Sequence, residues 1–180
     1  PSETDLDALS RGMVDAAAAY GCFLVGGDLA SGDALVVTVA ITGAVDGDPG
    51  PVLRSGARPA DHLYVTGPLG AAAANGWRTR PQARVAEGDA ARRGGATAMI
   101  DVSDGLIADL NHVAAASNVG YALDDVPIAD DATEEQALHG GEDFELLYAG
   151  PPGLPGIRIG ACTADVTQRL EARGWEHPFA

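Results

Sequence analysis

The chain has 180 residues, 46% hydrophobic and 21% charged, which supplies a core for one domain or one and a half and excludes disorder. Its 26 acidic residues outweigh 11 basic ones, and a net charge of −15 excludes the basic footprint a nucleic-acid partner requires. All 11 basic residues are arginine, so a P-loop lysine, a protein-kinase ion-pair lysine and a pyridoxal Schiff base are excluded from this chain.

The chain opens on Pro1-Ser-Glu-Thr-Asp5, where Ser and Thr suit helix N-caps and acids fill the first turn. Leu6, Leu9, Met13, Ala16, Ala17 and Tyr20 predict one helical face, and Gly21 suits the position just past its end. Cys22–Val25 reads as a strand ending in Gly26-Gly27-Asp28, and Ala34–Val45 as a longer one, alternating Val37, Val39 and Ile41 with Thr38, Ala40 and Thr42. Cys22 and Cys162 form neither a metal-ligand spacing nor a disulfide framework, and their apolar surroundings predict buried small hydrophobes.

Arg54 and Arg58 lie in a turn before the strand His62–Thr66, and either arginine offers a fork that suits phosphate. A turn at Gly67–Gly70 leads into a short helix at 71–74. Pro81 opens a helix running to about Arg93, which Gly94 and Gly95 end. His62 and His112 read as surface or core histidines rather than ligands.

The central stretch is Ala98-Met-Ile-Asp101-Val-Ser103-Asp104-Gly-Leu-Ile-Ala-Asp109-Leu. A short apolar strand stops on Asp101, a tight turn follows, and a helix opens at Asp104, with Ile107, Leu110 and Val113 on its apolar face. Free N–H groups at a helix start favour an anion, and two carboxylates at the same point favour a hard cation. A place that wants both phosphate and Mg²⁺ is a nucleotide site; the plainer reading is that Asp104 only caps the helix.

Tyr121–Leu123 follows as a strand, then an acidic loop from Asp124 to Asp131, read as solvated. Thr133–Leu138 forms a helical turn that runs into Gly140-Gly141-Glu142-Asp143-Phe144-Glu145 and an apolar strand. The tail predicts a strand at Ile157–Ile159, a short amphipathic helix near Val166–Arg173, and an aromatic pair, Trp175 and Phe179. Three segments thus share small residues, a sharp turn and a carboxylate at a strand end. Ligands of α/β folds gather at strand ends, so Asp28, Asp101, Asp104 and Glu142 are expected on one site.

Val25-Gly-Gly-Asp28, Leu53-Arg-Ser-Gly-Ala57, Asp101–Leu110 and Gly140–Leu146, in that order, resemble thiamine-monophosphate kinase over nearly the whole chain. The resemblance implies an α/β (α+β) two-domain fold of the aminoimidazole ribonucleotide synthetase type. Residues 1–50 would be the remainder of an N-terminal ATP/metal-binding and dimerisation domain, and 51–180 a C-terminal α/β domain. It implies Mg²⁺-dependent transfer from ATP to thiamine monophosphate, giving thiamine diphosphate and ADP. Several Mg²⁺ ions and positioning would carry the transfer, with no catalytic side chain.

Asp28, Asp101 and Asp104 match metal ligands, and Gly27, Asp28, Arg54 and Ser103 match ATP contacts. Glu142, or its neighbour Asp143, and Trp175 match thiamine contacts. The implied assembly is a homodimer through the N-terminal domain, cytoplasmic, without membrane or nucleic acid. An N-terminal stretch carrying a Gly-Asp-Asp motif is expected to be missing, and three connections look short, so either a fragment or omitted loops is expected. Two other readings remain: another ATP-using member of the superfamily, and a truncated, non-catalytic nucleotide-binding module.

Overall fold

The computed structural model describes residues 2–78 and 80–173. The chain divides into two compact units, Pro1–Ala44 and Val45–Ala180.

In the first unit, helix α1 spans Glu3–Ala19. Ser2 is its N-cap: the hydroxyl accepts from Asp5 N–H, and the Asp5 carboxylate accepts from Ser2 N–H at 2.8 Å. These bonds hold the Asp5 carboxyl below the usual carboxylate range. Gly21 closes the helix at φ 66°, where a side chain would be strained. The two strands expected between Cys22 and Val45 do not form. A strand exists through its ladder hydrogen bonds, and among the described residues nothing pairs with this segment, so period-two alternation alone does not make one. Its apolar side chains are open to solvent, Val25 at 96% and Ile41 at 83%.

The second unit is built on a five-stranded sheet. Its strands are β1 (His62–Val65), β2 (Ala98–Asp101), β3 (Gly120–Leu123), β4 (Leu146–Gly150) and β5 (Ile157–Thr163). They run in the order β2-β4-β1-β5-β3, and every pairing is antiparallel. The helices are α2 (Ala71–Ala74), α3 (Val85–Arg93), α4 (Leu106–Ser117) and α5 (Glu134–His139). Helix α4 buries Leu106, Ile107, Leu110 and Val113, and Leu106, Leu110 and Val113 pack in a core with Leu63 and Val65 of β1, Leu147 of β4 and Ile159 of β5. A smaller cluster joins Ala91 and Leu154 to Tyr64 and Tyr148, whose rings stack at 5.6 Å.

The α+β reading holds, but the argument from strand ends changes. That rule belongs to parallel sheets. Here the end of β2 meets the start of β4 because antiparallel pairing sets Asp101 opposite Leu146. Helix α3 starts at Val85 rather than Pro81, since the Arg84 side chain, just before it, is drawn to Glu145. Residues 166–173 are not helical. The Asp165 carboxylate accepts from Thr167 N–H and makes a local turn. The Gln168 carbonyl then accepts from Tyr121 N–H, and Leu170 N–H donates to the Tyr121 hydroxyl, which ties the segment to β3.

The cysteines diverge from expectation. Cys162 is buried on β5, while Cys22 is exposed because the segment around it joins no sheet. Burial pushes the Cys162 thiol up to about 12. Alkylation of the native protein at pH 8 should therefore modify Cys22 and spare Cys162 until denaturant is added. Peptide mass mapping checks this, and native labelling of Cys162 would contradict the buried placement.

Candidate metal–nucleotide site

Two segments of the second unit interlock through their backbones. Val102 N–H donates to the Glu145 carbonyl at 2.8 Å, Phe144 N–H to the Val102 carbonyl at 2.9 Å, and Glu142 N–H to the Ser103 carbonyl at 2.8 Å. The close approach depends on Gly141, at φ 66°, where a Cβ would lie 2.6 Å from the Ser103 carbonyl oxygen. Glu142 and Phe144 also hold left-handed backbone, at φ 57° and 52°. Non-glycine residues bear a cost there and persist only where the surroundings enforce it. The structure thereby brings Asp101, Ser103, Asp104 and Glu142 onto neighbouring backbone.

The other expected site residues are placed differently. Gly27 and Asp28 are exposed and belong to the first unit, where the Asp28 carboxylate accepts from Leu29 N–H at 2.9 Å. Arg54 is exposed beside β2, because the carbonyl of Leu53 accepts from Met99 N–H. Trp175 lies outside the described residues.

The turn after β2 departs from expectation in an informative way. Helix α4 opens at Leu106 with Gly105 as its N-cap, at φ 116°, and Asp104 caps nothing. The turn just ahead of the cap is held by Asp109, one turn into the helix and 1% exposed. Its carboxylate accepts from Ser103 N–H and Asp104 N–H, both at 3.0 Å. Two of the N–H groups expected to be free for phosphate, those of the turn itself, are therefore taken. Burial raises the Asp109 carboxyl above the usual carboxylate range, the two N–H bonds oppose the shift, and the Asp104 charge adds to it. Asp101 is exposed and Asp104 half-buried, and their carboxylates accept no hydrogen bond and join no ion pair among the described residues. Hard oxygen donors left in this state suit Mg²⁺. His112, one turn beyond Asp109, comes within the same group: ligand atoms of Asp104, Asp109 and His112 lie within 4.8 Å of one another.

Beside Glu142 lies a cavity of about 250 Å³ lined by Pro68, Ala71, Ala72, residues 80–82, Arg84, Asp143 and Glu145. Its acids differ in their duties. Asp143 accepts from Gly70 N–H at 2.7 Å and Ala72 N–H at 3.0 Å, and so caps α2. Glu145 is buried, accepts from the Thr66 hydroxyl, and pairs with Arg84 at 2.5 Å. Glu142 is exposed and has neither duty, which favours it over Asp143 as the group that faces a ligand. The duties of Asp109, Asp143 and Glu145 carried no sequence signal beyond an acid on the buried side of a turn.

The profile of the AIR synthase related protein N-terminal domain matches residues 1–45. A curated thiamine-monophosphate kinase of Methanospirillum hungatei is 41% identical over 144 residues, covering 72% of this chain and 50% of that protein. The thiamine-monophosphate kinase of Mycobacterium tuberculosis is 41% identical over 184 residues, covering 84% and 55%. The chain belongs to the thiamine-monophosphate kinase family. It spans about half the length of the curated kinases it matches. Among solved structures, AaThiL complexed with AMPPCP and TMP superposes with a TM-score of 0.60 at 29% identity, covering 70% of this chain and 54% of that one. Among the described residues of this family member, no helix is long and apolar enough to cross a membrane.

Proposed function

We propose that the intact protein transfers the γ-phosphoryl group of ATP to thiamine monophosphate, giving thiamine diphosphate and ADP. The observation that carries this reading is the turn at 101–104. Asp109 holds the turn through its backbone, so among the described residues Asp101 and Asp104 keep unspent carboxylates beside the segment that bears Glu142. Relatives named for this activity and a relative holding AMPPCP, an ATP analogue, together with TMP support it.

Asp101 and Asp104 would hold Mg²⁺; by the family match Asp28 would likewise be a metal ligand, and Gly27, Arg54 and Ser103 would contact ATP. When bound, Mg²⁺ would neutralise phosphate charge and align the two phosphates. An acceptor-phosphate oxygen then forms the new P–O bond in line as the bond to ADP breaks. That oxygen is already anionic, so no side chain has to remove a proton. Glu142 supplies a carboxylate to the cationic thiamine moiety from the rim of the cavity, and Trp175 a stacking face. Residues 1–50 are the remainder of an ATP/metal-binding and dimerisation domain, and 51–180 the C-terminal domain. The working protein is a cytoplasmic homodimer.

The test is a product assay on the intact protein with ATP, Mg²⁺ and thiamine monophosphate, resolving thiamine diphosphate and ADP. Stoichiometric thiamine diphosphate and ADP, lost on omitting Mg²⁺, is the expected result. ADP formation that thiamine monophosphate does not stimulate would point instead to another ATP-using activity of the same fold. Mg·ATP binding without turnover would point to a binding module. A trapped covalent phospho-enzyme would rule out direct transfer.

A further inference from the structure

Helix N-termini ordinarily attract anions, because their first N–H groups lack partners. At α4 the two N–H groups of the turn just ahead of that terminus are already occupied. The Asp109 carboxylate, buried in the first turn of the helix, accepts from both Ser103 N–H and Asp104 N–H at 3.0 Å. An anion approaching the turn finds the backbone N–H groups of Ser103 and Asp104 already taken. It meets the charges of Asp101, Asp104 and Asp109 instead. A cation meets two unspent carboxylates on a backbone whose direction Asp109 fixes from one side and Glu142 N–H from the other.

We propose that Asp109 is the positioning residue that makes the 101–104 turn selective for divalent cations and closes it to free phosphate. Asp109 acts through the backbone of Ser103 and Asp104 and need not touch substrate. The inference rests on the phosphotransferase reading only in taking Asp101 and Asp104 as the cation's ligands. Its chemistry is that of a supporting acid one layer behind them, where substitution ordinarily costs about 10–100-fold in metal affinity.

The test uses the intact protein and its Asp109→Ala and Asp109→Asn variants. Mg²⁺ alone and inorganic phosphate alone are titrated by calorimetry, and amide hydrogen exchange is read at Ser103 and Asp104. Wild type should bind Mg²⁺ and not phosphate. Asp109→Ala should lose about 10–100-fold in Mg²⁺ affinity, gain phosphate binding without metal, and exchange the two amides faster while β4 stays protected. Asp109→Asn keeps an acceptor oxygen but loses the charge, so its amide protection should be largely rescued while its Mg²⁺ affinity stays reduced. If Asp109→Ala does not fold, Asp109→Asn decides. Wild-type Mg²⁺ affinity in the folded variants, unchanged exchange in Asp109→Ala, or phosphate binding by wild type would overturn the proposal. A negative product assay with these titrations as expected would reject the kinase reading and leave this one standing.

Discussion

Asp104→Asn should cut thiamine diphosphate formation by about 10²-fold or more, because a metal site contributes several kcal/mol to the transition state and each 1.36 kcal/mol is tenfold in rate. The substitution keeps shape and removes one charge. The Asp104 carboxylate accepts no hydrogen bond among the described residues, so the fold loses no bond with it. Its charge also raises the Asp109 carboxyl, an unfavourable proximity that the substitution relieves. Thermal unfolding should therefore stay level or rise while turnover collapses. That pattern identifies a residue kept for function at some cost to stability. Equal turnover in variant and wild type would remove Asp104 from the site.

Glu145→Ala should destabilise the protein by about 2–4 kcal/mol, as loss of a charged hydrogen bond and of one partner of a buried pair does. The Glu145 side chain is 10% exposed and receives both the Thr66 hydroxyl and the Arg84 guanidinium. Its removal strands an Arg84 that is only 28% exposed, with Glu87 at 3.5 Å as its remaining ion-pair partner among the described residues. The effect stays below that of a fully buried pair because water reaches the Arg84 side chain. Urea unfolding midpoints measure it. The double variant Glu145→Leu with Arg84→Met should recover most of the loss, since both charges then leave together. A single-variant loss below about 1 kcal/mol would mean the pair is a surface contact.

Local chemistry was readable where it was self-contained. The N-cap at the start of α1, the helical turn from Thr133, the apolar stripe of α4 and the glycines that close α1 and α3 all follow from residues a few positions apart. What failed depended on partners distant in sequence. Residues 34–45 alternate like a strand, yet alternation cannot supply a neighbour. Residues 166–173 have a helical pattern, yet Tyr121 claims their backbone. The acids followed the same division. Position at a sharp turn beside a strand end singled out Asp101, Asp104 and Glu142. It could not show that Asp109 holds the turn ahead of α4 while Asp104 caps nothing, or that Asp143 caps a helix some seventy residues earlier in the chain.

The backbone interlock between residues 102–103 and 142–145 has a consequence for how the chain can change. Three hydrogen bonds and a glycine with no room for a methyl group fit one loop to the other. An insertion in either loop would dislodge both, so a change of length in one motif calls for a matching change in the other although some forty residues separate them. Recombination with a relative that exchanges one motif alone breaks this fit, whereas exchanging the pair preserves it.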